Sequence, residues 1–245
     1  MTSDSQMLAG RTIIVTRAVE RAGGLTSLFV DAGAKVLEIP VTTTVDALDG
    51  GNALQTAIDT IEQYEWVVVT SPEGAHRLRE AMALLDASPR QFKIAAVGTA
   101  TAAALGGADL VPKVQTGRSL GEIFPSGSGR VLLAVAETAG TDFEVAASNK
   151  GWTIDRVTSY RTVSITPTDV RSVEISQADA ITFASASSAR AWHDVFGVIM
   201  PKVVVAMGPM TASALSELGI PDVVVATEQS LQGVVNATVE ALASR

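Results

Sequence analysis

One phrase is written twice in this chain, and its recurrence limits the fold more than any other feature. In the first copy, Trp66-Val-Val-Val-Thr70-Ser71-Pro72 is an apolar run closed by Thr-Ser and followed by a helical pattern. A second apolar run then ends at Val97-Gly98-Thr99-Ala100-Thr101, where another helical pattern begins. In the second copy, Ala180-Ile-Thr-Phe183-Ala-Ser185 opens one helical pattern and Val203-Val-Val-Ala-Met207-Gly208-Pro209-Met210-Thr211 opens the next. The shared frame is strand, Ser, helix, strand, Gly-x-x-Thr, helix, Gly. A repeat of this size is read before local detail, because it sets the architecture. It predicts two similar α/β halves, each with two strand-to-helix turns that carry small polar residues.

The joins between elements specify parallel sheets. Arg11-Thr-Ile-Ile-Val-Thr16-Arg17 reads as a buried strand, and Leu25, Leu28 and Phe29 share one face of a helix over 19–31. Gly33 stops that helix, and the next strand begins at Lys35. The same helix-Gly-strand join returns at Gly106/Gly107, Gly151 and Gly219. A glycine just past a helix end takes the left-handed conformation that satisfies the last carbonyls. Repeated joins of this kind mark alternating β and α units with right-handed crossovers. The cores must then be aliphatic, since 47% of residues are hydrophobic and only 4% aromatic, as suits strands covered on both faces.

Between these units, Pro40 and Val41-Thr-Thr-Thr-Val45 read as an extended connector. Helices are expected over 52–63, 119–124 and 142–150, with a strand over 130–135 and a long extended stretch from Ile154 to Ile165. The middle of the chain supplies five strands, near 66–70, 93–97, 109–111, 131–135 and 153–157; the C-terminal copy supplies three, near 180–184, 202–206 and 222–225. Adding the two N-terminal strands to the latter balances the halves. Residues 1–39 are therefore expected to fold with 166–245, and 46–156 to form an inserted domain. Segments 40–45 and 157–165 then run side by side as a two-stranded link. Two sequential domains are the competing parse. The ligand is expected in a cleft at the strand carboxyl ends, where open α/β sheets bind.

Composition excludes several classes. The net charge of −8 lacks the basic footprint of a nucleic-acid binder, and no apolar run approaches the roughly 18 residues of a membrane span. Residues 1–10 are polar without a signal-peptide pattern and read as a frayed start; with no cysteine to form disulfides, the cytoplasm is the expected compartment. An anionic ligand must be held by local donors, since charges further than about 8 Å are screened in physiological salt. No phosphate-loop pattern occurs, and Gly127-Ser-Gly129 precedes a strand instead of following one, so no nucleotide cofactor is expected. The two histidines, His76 and His193, stand alone in helices, which suggests no metal site. Ser71 and Ser185 lack the nucleophile-elbow pattern.

The four turns remain. Gly98 and Gly208 allow a ligand to approach the backbone, and the N–H groups that open the following helices attract carboxylate or phosphate. Ser71 and Ser185 are positioned to cap the other two helices. Any one of these turns reads more readily as an ordinary cap; four facing one cleft point to a ligand. Arg17, Arg77, Arg161 and Arg190 are either anion partners or solvated surface, while Trp66, Trp152 and Trp192 read as packing residues. Tyr160 differs, because its phenol lies in the extended link.

Jointly these residues resemble the uroporphyrinogen-III synthase family. The matching pieces are Val15-Thr16-Arg17, Ile39-Pro40-Val41, Thr70-Ser71-Pro72, Val97-Gly98-Thr99-Ala100-Thr101, Tyr160-Arg161-Thr162, Phe183-Ala-Ser185 and Met207-Gly208-Pro209-Met210-Thr211-Ala212, in the family's order along nearly the whole chain. The resemblance implies two parallel-sheet α/β domains joined by a two-stranded ladder. It also implies cofactor-free, dehydrating cyclisation of hydroxymethylbilane, a linear tetrapyrrole with eight carboxylates, to uroporphyrinogen III with inversion of ring D through a spiro intermediate. By the same resemblance Tyr160 assists departure of the hydroxyl, and Thr16, Arg17, Thr70, Ser71, Gly98, Thr99, Thr101, Ser185, Gly208, Pro209 and Thr211 form the substrate site. With no dedicated interface segment in the sequence a monomer is expected, with no metal, nucleic-acid or membrane partner. The alternative is a non-catalytic two-domain binder of an anionic metabolite, motivated by the same cleft and the lack of a strong catalytic constellation.

Overall fold

The computed structural model describes residues 6–83, 91–168 and 172–244. The chain begins β1 (Thr12–Val15), α1 (Val19–Asp31), β2 (Lys35–Glu38), β3 (Thr42–Val45), α2 (Asn52–Asp59), β4 (Trp66–Val69), α3 (Pro72–Met82), β5 (Lys93–Ala96) and α4 (Thr99–Ala104). It continues α5 (Gly117–Ile123), β6 (Arg130–Ala136), α6 (Asp142–Ser148), β7 (Thr153–Ser164), α7 (Ser172–Gln177), β8 (Ala180–Phe183), α8 (Ala186–Phe196), β9 (Val203–Ala206), α9 (Pro209–Glu217), β10 (Val224–Val225) and α10 (Leu231–Ala243). Two five-stranded sheets result, in the orders β10-β9-β8-β1-β2 and β3-β7-β6-β4-β5. One compact unit comprises Met1–Thr43 with Val163–Arg245, and the other Thr44–Thr162.

In the first unit β1 lies between β2 and β8, parallel to both, with Ile14 opposite Leu37 on one side and Ile181 on the other. Because successive side chains of a strand point to opposite faces, its residues divide between two cores. Ile13, Val15, Val203 and Val205 pack with Leu25 and Phe29 of α1 and Val234 and Val235 of α10. Ile14, Ile181, Phe183 and Val204 pack with Ala189 and Trp192 of α8 and Leu215 of α9. The second unit follows the same rule. Val67, Val69 and Leu132 meet α2 and α3 through Leu54, Ile58, Ala75 and Leu78, while Val68, Val131 and Leu133 meet α5 and α6 through Leu120, Phe124, Phe143 and Ala147. Each fully buried Leu, Ile, Val or Phe contributes about 1.5–3 kcal/mol of apolar burial.

The four glycine joins close as expected: Gly33, Gly106, Gly107, Gly151 and Gly219 all have positive φ. Three local expectations change. Residues 109–111 make only an isolated bridge, Leu110 to Ala95, so the fifth strand of the second sheet is β3. The Asp109 carboxylate accepts the Ile94 N–H at 2.7 Å, and Pro112, two residues after Leu110, has no N–H to extend a ladder. The extended stretch after 157 continues the strand expected near 153–157 without a break, so that β7 is a single 12-residue strand beside β3 and β6. Finally, of the expected frayed start, residues 1–5 lie outside the described residues, while Leu8 is buried and its N–H donates to the Ala32 carbonyl at 2.9 Å.

Candidate functional site

Where β4 ends, Thr70 and Ser71 turn the chain into α3. Pro72 pre-sets the first helical φ, and Ser71 adopts the extended conformation of a cap, with its Oγ accepting the Gly74 N–H at 3.1 Å. The same oxygen accepts a second hydrogen bond, from the Tyr160 hydroxyl at 3.1 Å. Tyr160 is 4% exposed, so its ring is packed in place and its hydroxyl is aimed.

An irregularity of β7 does the aiming. Thr158 pairs with Val135 and Tyr160 with Ala136, so Ser159 is an extra residue opposite no partner. In a regular strand Ser159 and Tyr160 face opposite ways; here both are buried on the α3 side. The Ser159 hydroxyl donates to the Val135 carbonyl at 3.0 Å, so that oxygen of the interrupted ladder is not left bare. The Ser159 Oγ also lies only 3.4 Å from where a Gly74 side chain would begin.

The matching turn in the first unit is built differently. Ser185 caps α8 by accepting the Ser188 N–H at 3.2 Å, and its Oγ otherwise meets the hydroxyls of Ser187 (3.0 Å) and Ser188 (3.2 Å). Thr16, at the end of β1, is fully buried and donates to the Thr182 carbonyl at 2.8 Å, so its hydroxyl holds two strand ends together. Arg17, which follows it, is partly buried.

The two Gly-x-x-Thr turns correspond closely. Gly98 and Gly208 are buried, Thr99 and Pro209 after them are exposed, and Thr101 and Thr211 are buried again at 3% and 5% exposure. Neither glycine has a left-handed backbone: φ is −148° at Gly98 and −165° at Gly208, values any residue adopts. What requires glycine is a side chain that the sequence reading missed. A Cβ on Gly98 falls 2.3 Å from the Gln115 Oε1, and one on Gly208 falls 3.0 Å from the carboxamide carbon of Gln229. The Gln115 oxygen accepts the Thr99 N–H at 3.2 Å, so a carboxamide already occupies one of the N–H groups expected to await an anion. Both glutamines stand just before a hydroxyl cap: Thr116 accepts the Ser119 N–H at 3.1 Å, and Ser230 the Gly233 N–H at 3.0 Å. That signal was present in the sequence as Gln115-Thr116 and Gln229-Ser230, each opening the helix that follows its repeat copy's frame.

A cavity of about 290 Å³ opens beside this turn in the second unit, at the carboxyl ends of β4 and β6, and Thr70, Gln115, Thr116, Gly117, Asp142 and Phe143 help line it. The other candidate arginines are placed by their contacts. Arg77 is held by Glu73 (3.0 Å) and Asp46 (2.6 Å), Arg161 donates to the Asp46 carbonyl at 3.2 Å, and Arg190 faces Glu217 at 3.7 Å. Among the described residues no three His, Asp or Glu side chains gather as a metal would need. No described helix is long and apolar enough to cross a membrane.

The family model described as "Uroporphyrinogen-III synthase HemD" matches residues 24–236. The chain is 29% identical over 254 residues to uroporphyrinogen-III synthase of Synechococcus elongatus, covering 95% of this chain and 96% of that protein. It is 25% identical over 246 residues to the chloroplastic uroporphyrinogen-III synthase of Oryza sativa subsp. japonica, covering 94% of this chain and 80% of that protein. Among solved structures, uroporphyrinogen-III synthetase from Helicobacter pylori superposes with a TM-score of 0.63 at 16% identity, over 96% of this chain and 100% of that one. A mutant uroporphyrinogen III synthase from Thermus thermophilus does so with a TM-score of 0.60 at 19% identity, over 96% and 100%.

Proposed function

Because the chain belongs to the uroporphyrinogen-III synthase family, we propose that it catalyses the dehydrating cyclisation of hydroxymethylbilane to uroporphyrinogen III. The observation that carries this reading at the level of the site is the buried Tyr160 hydroxyl, anchored on Ser71 at the end of a sheet strand. The reaction asks little of side chains. The pyrrole nitrogen helps expel the substrate's hydroxyl to give an azafulvene, whose attack at the substituted carbon of ring D forms a spiro intermediate that fragments and recloses inverted. The protein's contribution is to hold the reactive ends in the geometry that favours this closure over the direct one, which gives isomer I. Tyr160 assists departure of the hydroxyl.

Eight carboxylates on the substrate need donors. In the second unit the candidate groups lie on the turns of Thr70, Ser71, Gly98, Thr99 and Thr101; in the first they lie on Arg17, Ser185 and the turn of Gly208 and Thr211, where Pro209 has no N–H to give and serves to start α9, with Thr16 fixing the turn that carries Arg17. On this reading residues 1–39 with 166–245 and residues 46–156 are the two domains, linked through 40–45 and 157–165, and the protein works as a cytoplasmic monomer without a cofactor.

The test is a coupled assay in which hydroxymethylbilane is generated from porphobilinogen, the protein is added, and the oxidised porphyrins are separated into isomers I and III. Isomer III should rise in proportion to added protein. Isomer I alone, from folded protein, returns the function to the non-catalytic binder of an anionic metabolite. Tyr160→Phe should lower isomer III formation roughly tenfold to a hundredfold with little change in melting temperature, and unchanged turnover removes the phenol from the mechanism.

A further inference from the structure

Resting on the reading above, we infer that Ser71 is the group that delivers the proton to the departing hydroxyl, with Tyr160 acting through it as a two-hydroxyl relay. A serine hydroxyl has one proton to give and two lone pairs with which to accept. Both lone pairs of Ser71 are occupied, one by the Gly74 N–H and one by the Tyr160 O–H, each at 3.1 Å. The Ser71 proton is therefore the only hydrogen-bonding capacity this side chain has left, and it must be donated. Among the described residues no acceptor takes it. Ser71 itself is partly exposed, whereas the phenol behind it is 4% exposed. Of the two hydroxyls, the serine is the one a ligand at the end of β4 can meet. At rest, with no free lone pair, Ser71 serves a leaving oxygen and cannot accept from the substrate; a lone pair is freed only once the Tyr160 proton has passed to it.

Three features make the pair more than a capping serine with a tyrosine nearby. The bulge at Ser159 turns Tyr160 onto the α3 side, and a regular strand would point it away. Gly74 leaves the space in which Ser71 and Ser159 sit, because a Cβ there falls 3.2 Å from the Ser71 Oγ and 3.4 Å from the Ser159 Oγ. The repeat supplies an internal control: Ser185 caps its helix in the same way, yet its oxygen is met by Ser187 and Ser188 instead of a phenol. The capping function is common to both copies, and the phenol behind the cap belongs to one.

The step balances as follows. The bond from the hydroxymethyl carbon to its oxygen breaks with its electron pair moving to oxygen, while the pyrrole nitrogen's lone pair forms the azafulvenium. The departing oxygen takes the Ser71 proton and leaves as water. The Ser71 oxygen takes the Tyr160 proton, and the phenolate formed accepts a hydrogen bond from the Ser71 hydroxyl in return. The proton lost from the ring carbon when the macrocycle recloses returns through Ser71 to the phenolate, so the pair is restored at each turnover.

The test uses four variants of the whole chain with hydroxymethylbilane as the probe. Asparagine caps a helix as well as serine does but cannot pass on a proton, so Ser71→Asn should keep the melting temperature while its kcat for isomer III falls at least about tenfold and KM stays within about twofold. Ser71→Thr, with cap and hydroxyl both present, should recover most of that loss. The double variant Ser71→Asn/Tyr160→Phe should be within about twofold of the slower single variant, because a relay broken once is already broken. Wild-type kcat in Ser71→Asn, or losses that multiply in the double variant, overturns the relay while wild-type isomer III formation still upholds the synthase. If Ser71→Asn melts early, the solvent deuterium isotope effect on kcat decides: it should fall in Tyr160→Phe relative to wild type, and an equal effect in both overturns the relay.

Discussion

A carboxamide oxygen hanging over a glycine shows how a residue is chosen for what its neighbour needs. Gly98 has an unexceptional φ, so its backbone excludes no amino acid; what a larger residue would have to displace is the end of the Gln115 side chain. Gly98→Ala should force the Gln115 oxygen off the Thr99 N–H, at a cost of about 0.5–1.5 kcal/mol. In a protein of this size that lowers Tm by about 1–6 °C. Gln115→Ala should cost a similar amount, and the double variant little more than either, since each removes the same hydrogen bond. Fully additive losses in thermal melts would mean the two residues are not coupled. Gly98 was recognisable in the sequence as a special position because it recurs at Gly208, but its reason was not. Strand and helix periodicity places a turn; it carries no record of which side chain, 17 residues on, folds back over it.

At the scale of the element, β7 is the instructive case. From sequence it divides naturally into a strand and a polar extended stretch, because the buried residues of its second half do not alternate. The reason is the extra residue at 159, which changes the parity of everything after it. Periodicity analysis assumes a constant period, so a bulge reads as the end of a strand. Tyr160 was legible as unusual, whereas its contact with Ser71 was not, since the partner lies 89 residues away. Deleting Ser159 should leave Thr158 and Tyr160 as consecutive partners of Val135 and Ala136, so regular alternation returns and Tyr160 keeps its face. The deletion variant should retain its far-ultraviolet dichroism and form isomer III faster than Tyr160→Phe does. A loss as severe as that of Tyr160→Phe would show that the phenol depends on the bulge itself for its aim.

For the whole molecule the repeat and the glycine joins were sufficient to anticipate two parallel sheets covered on both faces, because those signals are local and each occurs several times. The bridge at Leu110, counted in the sequence as a strand, marks the limit: a short apolar segment joins a sheet fully only if its backbone donors survive, and Pro112 ends them. Net charge acts at this scale too. With −8 on the protein and eight carboxylates on the proposed substrate, long-range electrostatics oppose encounter. Raising salt from about 20 to about 200 mM should therefore lower KM, by about twofold to fivefold, because screening weakens the repulsion before it weakens the contacts. A KM that rises with salt would place a strong local basic field at the site instead.

The pairing of β1 with β8 has a consequence for synthesis. Ile14 finds its sheet partner Ile181 only after the whole of Thr44–Thr162 has been made. At ordinary ribosomal speeds that is on the order of ten seconds during which β1 and β2 exist without the centre of their sheet. The second unit, continuous in sequence, has no such wait. Nascent chains stalled near residue 165 should therefore protect the second unit from protease while leaving the first forty residues open to cleavage. The N-terminus, first to emerge, is among the last parts of the protein to find its place.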